Sequence, residues 1–140
     1  MKKSDRQVIF AKFGGRCAYC GEELKKGWHV DELEPVERQR KYIGAHFDGE
    51  LYVAGKYVSN GCKYPERFHI DNQNPSCASC NINKHSMSLE EFRSLIKGFL
   101  KHLNGVNTQY KIAKRYGLVV ETDIEVEFYF EKNNKKINSK

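Results

Sequence analysis

Residues 71–84 read DNQNPSCASCNINK, and residues 17–21 read CAYCG. Each stretch carries a Cys-x-x-Cys pair, Cys17/Cys20 and Cys77/Cys80, and Cys62 is left over as a fifth thiol. Two such pairs suit a tetrahedral four-thiolate Zn²⁺ site, with metal–sulfur bonds of about 2.3 Å. A redox site of the thioredoxin type uses one pair in a βαβ setting, and no such setting surrounds either pair. Structural disulfides are disfavoured in a reducing cytosol. Unlinked pairs, or a ligand displaced by Cys62, remain the alternatives. The gap between the pairs is longer than in a compact zinc ribbon. A shared ion would therefore clip distant parts of the chain together around an inserted element, and its binding energy would be folding energy.

Working outward, the 140 residues suffice for one domain, expected over 1–131. Aromatic residues at 12% argue against a disordered chain. No apolar run approaches the roughly 18 residues that span a bilayer. The start, MKKSDRQVIFAKF, lacks the apolar core of a signal peptide, so a cytoplasmic protein with no membrane partner is expected. The net charge of +6 permits a polyanionic partner.

Local patterns predict a helix over 5–13 ended by Gly14-Gly15, then a strand from Trp28 to Leu33 stopped at Pro35. Residues 36–68 read as an irregular insertion with a hairpin over Leu51–Val58 centred on Gly55. A helical turn is expected at 80–86. Ser88-Leu89-Glu90-Glu91 is a capping box opening a helix, with Leu89, Phe92, Leu95, Ile96, Phe99, Leu100 and Leu103 as its core stripe. A further helix at 107–116 ends at Gly117. Ile124, Val126, Phe128 and Phe130 alternate with Glu125, Glu127, Tyr129 and Glu131, which predicts a half-buried C-terminal strand. Residues 132–140 read as a mobile basic tail.

The two cysteine motifs, together with WHVDELEP (28–35), SLEEFR (88–93), YKIAKRYGLVVE and FYFE, resemble the HNH endonuclease family. These look like the small zinc-stapled HNH proteins of bacteriophages. The resemblance implies an α+β fold: a ββα-metal core stapled by a four-cysteine zinc site, with flanking helices and a C-terminal strand. It implies a metal-dependent DNA endonuclease. In that family an Asp-His pair on the strand supplies a metal ligand and the general base, with a Pro three residues after the His. A middle Asn positions the loop, and a His or Asn after the second Cys-x-x-Cys is the other ligand. Carried over, Asp31 and Asn81 hold Mg²⁺ or Mn²⁺, Asn72 positions the loop, and Pro35 fits the proline. The zinc of Cys17, Cys20, Cys77 and Cys80 has no open position and does no chemistry.

The departure is Glu32, which stands where the family has its catalytic His. A free glutamate titrates near 4.3 against about 6.5 for histidine, so it is the weaker base. A positioned base is worth roughly 10²–10⁴-fold. Three outcomes follow: a nuclease impaired or inactivated by the substitution, natural or engineered; Glu32 as an alternative base or extra ligand; or a contribution from His29. His29 shares a strand face with Asp31, and its alternative is a plain surface histidine. DNA contact is expected from Lys84, Arg38, Arg40, Lys41, Lys56, Lys63 and Arg67, interleaved with tyrosines. Glu37, Asp48, Glu50 and Glu66 lie among them, so a merely solvated surface is the competing reading. The other readings of the whole chain are a catalytically inactive zinc-stabilised DNA-binding module and a protein-interaction module. Cutting both strands would call for a dimer.

Overall fold

A computed structural model describes residues 2–138. In chain order the elements are α1 (Lys3–Ala11), β1 (His29–Glu32), β2 (Arg38–Ile43), β3 (His46–Asp48), β4 (Leu51–Val53), β5 (Lys56–Cys62), β6 (Gln73–Ser76), α2 (Ala78–Lys84), α3 (Leu89–Val106), α4 (Thr108–Arg115) and α5 (Tyr129–Asn138). The fold is mixed α and β, with three antiparallel strand pairs: β1 with β6, β2 with β5, and β3 with β4.

The β1–β6 pair sets the site. Asp31 lies opposite Asn74, and Glu32 lies opposite Gln73. Successive strand residues face opposite ways, so Asp31 and Glu32 point to different sides of the pair. Pro75 offers no N–H, but its carbonyl accepts from Ala18 N at 2.8 Å. That bond seats the first cysteine pair beside the second. Within the first pair, the Gly21 N–H closes the turn on the Cys17 carbonyl at 2.9 Å. Gly21 has φ +77°, and a Cβ there would come within 2.7 Å of the Tyr129 ring. Both the turn and the close approach require glycine.

Residues 36–68 are more regular than expected. From the Arg40–Ser59 pair outward, past an irregularity between Arg38 and Arg40, the ladders β2–β5 and β3–β4 follow one register around the two-residue turn Gly49-Glu50, so the hairpin centres there and not on Gly55. Gly55 has another duty: it makes room for Tyr42, whose hydroxyl any Cβ at 55 would overlap. Every residue of β2 and β3 is exposed, so this ribbon stands off the body as an arm.

The core joins the first cysteine turn to α3 and to the C-terminal segment. Cys17, Tyr19, Leu24, Phe92 and Phe128 are buried together. Tyr19 meets Phe92 and Phe128 edge-on at 5.5 and 5.4 Å between centroids, and the two phenylalanines stack at 5.6 Å. Each such phenylalanine contributes about 1.5–3 kcal/mol by burial. Helix α3 starts at the expected capping box: Ser88 Oγ accepts from Glu91 N, and Ser88 N donates to Glu91 Oε2 at 2.7 Å. Its stripe packs the core only in the first half, through Leu89, Phe92, Leu95 and Ile96; Phe99 and Leu100 are exposed.

The C-terminal strand is not formed. Residues 119–128 join no strand or helix, and α5 begins at Tyr129. The first N–H groups of α5 explain why: Tyr129 N and Phe130 N donate to the carbonyls of Tyr19 and Ala18, each at 2.9 Å. Glu131 Oε2 accepts from Phe128 N at 2.8 Å, and its other oxygen pairs with Arg93 at 2.6 Å. The alternation of residues 124–130 thus serves to insert Phe128. The stretch expected as a mobile tail is helical to Asn138, and residues 139–140 lie outside the described residues.

Candidate functional site

The four paired cysteines converge. Their sulfur atoms all lie within 4.8 Å of one another, with Cys20 Sγ and Cys77 Sγ 3.8 Å apart. A tetrahedron with metal–sulfur bonds of about 2.3 Å has edges of about 3.8 Å, so the donor set fits a metal ion such as zinc. Cys62, on β5, stands outside this cluster. Local structure presents the thiols. Cys77 caps α2, its sulfur accepting from Cys80 N at 3.5 Å. Hydrogen bonds from Cys80 and from backbone amides draw the Cys17 thiol down to about 4, while burial pushes Cys20 up to about 11. Several thiolates this close repel each other, and a divalent cation offsets that repulsion.

Asp31 is 5% exposed and faces α2. Its Oδ2 accepts from the Tyr19 hydroxyl and pairs with Lys84 Nζ at 3.0 Å. Burial raises the Asp31 pKa, and Lys84 and Tyr19 counteract it. Burial and the nearby Asp31 also raise that of Tyr19. Lys84 has no exposed surface, and its ammonium also donates to the Glu32 carbonyl at 2.7 Å. A lysine so enclosed is not a surface phosphate contact; its partner is Asp31. No donor among the described residues reaches Asp31 Oδ1.

Asn81 sits on α2, three residues before Lys84. Its backbone bonds Cys77 and His85, and its amide side chain makes no hydrogen bond among the described residues. Asn74 faces Asp31 across the strand pair; it is 3% exposed, and its amide is likewise without a hydrogen bond there. Asn72 is fully engaged. Its Oδ1 accepts from Glu34 N at 2.9 Å, and its Nδ2 donates to the carbonyls of Glu34 and Arg67 at 2.9 and 3.0 Å. It thereby holds the loop that follows β1, including Pro35.

Glu32 lies on the other side of the strand pair. Arg38, at the foot of the arm, binds its Oε1 at 2.7 Å. Both residues line a cleft of about 660 Å³ with Asp5, Phe68, Ile70 and Gln73. Arg67 pairs with Glu34 at 3.3 Å and donates to the Pro35 carbonyl at 2.8 Å. Lys63 pairs with Glu37 at 3.2 Å. Arg40, Lys41 and Lys56 have no acidic partner among the described residues and are exposed. His29 is exposed on β1.

The structure therefore joins Asp31 with Lys84, Glu32 with Arg38, and Asn72 with its loop, while keeping Asp31 and Glu32 on separate faces. Sequence reasoning missed Tyr19 and Asn74. A tyrosine between two ligand cysteines was a usable signal, since a buried hydroxyl needs a partner. Asn74 gave none until its register was known.

No protein-family model matches the chain, and no curated protein or solved structure matches it. Among the described residues, no helix is long and apolar enough to cross a membrane.

Proposed function

We propose that this chain is an HNH-type, metal-dependent DNA endonuclease stapled by Zn²⁺ at Cys17, Cys20, Cys77 and Cys80, and impaired as written because Glu32 replaces the general-base histidine. The observation that carries the reading is the meeting of β1 with α2 beside the cysteine cluster, where Asp31 lies 3.0 Å from the side chain one turn after Asn81. The reading calls for a hard divalent ion such as Mg²⁺ or Mn²⁺ at Asp31, and the types of the side chains there support it. Asp31 Oδ1 and the amides of Asn81 and Asn74 are uncommitted oxygen donors, the type such ions select. A bound ion would offset charge on the phosphodiester as its bond breaks. The Lys84 ammonium beside Oδ2 opposes a second cation, which makes the site weak.

The chain's own residues would divide the remaining work. Tyr19 and Lys84 fix the Asp31 carboxylate. Asn72 fixes the loop after β1. Glu32, on the other face of the strand pair from Asp31 and held by Arg38, is poorly placed to take a proton from water beside Asp31, in keeping with an impaired enzyme. A second reading, a zinc-stabilised DNA-binding module without cleavage, is favoured by that same engagement of both carboxylates.

Plasmid nicking with Mg²⁺ or Mn²⁺ separates the two. The chain should nick slowly, Asp31→Ala should abolish nicking with zinc retained, and Glu32→His should raise the rate by roughly 10²-fold. Nicking that survives Asp31→Ala refutes the assignment. DNA binding with no cleavage by either the parent or Glu32→His establishes the second reading.

A further inference from the structure

The arm of residues 38–62 has no part in the cysteine cluster or the core, yet it is paired along its length by its own ladders. A lone two-stranded ribbon is marginal in water. This one is braced by aromatic pairs at two levels: Tyr42 with Tyr57 at 5.1 Å and Phe47 with Tyr52 at 5.6 Å. At about 3.3 Å per residue its eleven outgoing residues, 38–48, reach roughly 35 Å.

Charge is segregated along it. The shaft, β2 and β5, carries Arg38, Arg40, Lys41 and Lys56 and no acidic residue. The far end carries Asp48 and Glu50 beside Phe47, Leu51 and Tyr52, which are 70%, 75% and 65% exposed. Arg40 and Lys41 are neighbours on opposite faces of β2, so the unpaired cations project from both sides of the ribbon.

Resting on the DNA reading above, we infer that the arm is a ribbon that enters the major groove of duplex DNA, with Arg40, Lys41 and Lys56 on phosphates and the far end against base edges. Three considerations select this partner and this groove. The major groove is about 12 Å wide and admits a two-stranded ribbon. Unpaired cations on both faces suit a groove walled by phosphates on both sides. The acidic far end disfavours the narrow minor groove, with its mainly acceptor edges; the major groove presents the amino donors of cytosine and adenine and the thymine methyl.

The test uses the full zinc-loaded chain and a labelled mixed-sequence duplex, with affinity measured by anisotropy between about 50 and about 200 mM salt. The triple variant Arg40→Ala/Lys41→Ala/Lys56→Ala should keep its zinc and circular dichroism, since all three side chains are exposed. The slope of log K against log salt should shrink by about 2.7, at about 0.9 per phosphate. As a second measurement, the parent should protect guanine N7, which lies in the major groove, from methylation; the triple variant should not. An unchanged slope with unprotected N7 overturns the arm's role while leaving DNA binding by the body intact. Protection confined to the minor groove overturns the choice of groove. A parent that binds no DNA removes the DNA reading itself and this proposal with it.

Discussion

Lys84→Met tests whether the Asp31–Lys84 pair is what holds β1 to α2. The ammonium is wholly buried and makes two contacts, Asp31 Oδ2 at 3.0 Å and the Glu32 carbonyl at 2.7 Å. Methionine keeps most of the side-chain volume but leaves the Asp31 carboxylate buried with Tyr19 alone. Breaking a buried pair by removing one partner costs about 3–5 kcal/mol. A domain of this size has about 5–15 kcal/mol in total. At roughly 4 °C per kcal/mol, the midpoint should fall by about 12–20 °C. Urea and thermal unfolding of the zinc-loaded protein would measure this, with metal content checked before each run. The double variant Asp31→Asn/Lys84→Met removes both charges while leaving an acceptor for Tyr19. It should recover at least half of the loss, because the larger cost is the stranded carboxylate and not the absent bond. A single variant within about 1 kcal/mol of the parent, or a double variant whose loss is the plain sum of the singles, would refute the reasoning.

Elemental analysis should find about one zinc per chain, and a strong chelator should abolish cooperative unfolding; Cys62→Ser should change neither. Zinc loss in Cys62→Ser would make Cys62 a ligand. His85, directly after α2, has φ +48° and ψ −128°, a conformation costly for any residue but glycine. His85→Gly should raise stability by about 1 kcal/mol in urea unfolding, and a loss would show that the imidazole makes a compensating contact. Glu121 accepts from Lys114, Asn104 and Tyr110, and the Lys114 ammonium leads in drawing its pKa down to about 2. Its folded value lies below the ordinary 4.5, so its stabilisation is present above 4.5 and lost as pH falls towards 2. Carboxyl NMR of Glu121 should show the low titration; a midpoint near the ordinary value would discard the cluster.

What was legible in the sequence followed from local rules. The Cys-x-x-Cys pairs, the strand ending before Pro35, and the Ser88 capping box each depend on residues a few positions apart. The misreadings came where a partner far along the chain decides. Residues 124–130 alternate like a strand, but their N–H groups met the carbonyls of Ala18 and Tyr19 and no neighbouring strand. Lys84 looked like a surface cation because a charge in a sequence carries no mark of burial. Its location follows from the three-residue step from Asn81 on a helix packed against β1. The arm's turn was misplaced at Gly55 because a glycine needed for a close ring contact looks the same in sequence as one needed for a turn.

The cysteine cluster and Asp31 are mechanically one unit. Tyr19 stands between two of the sulfur donors, Cys17 and Cys20, and its hydroxyl binds Asp31 Oδ2. Lys84 lies at the end of α2, whose first turn is set by Cys77 and Cys80, and it binds the same oxygen. Each cysteine pair thus delivers one donor to one carboxylate. Closing the cluster fixes both donors at once, and a change at either pair moves one of them. An ion held by the cluster would therefore also govern where the Asp31 carboxylate sits. The same arrangement explains the one-sided engagement of Asp31: both donors arrive from the cluster side and leave Oδ1 turned away from them.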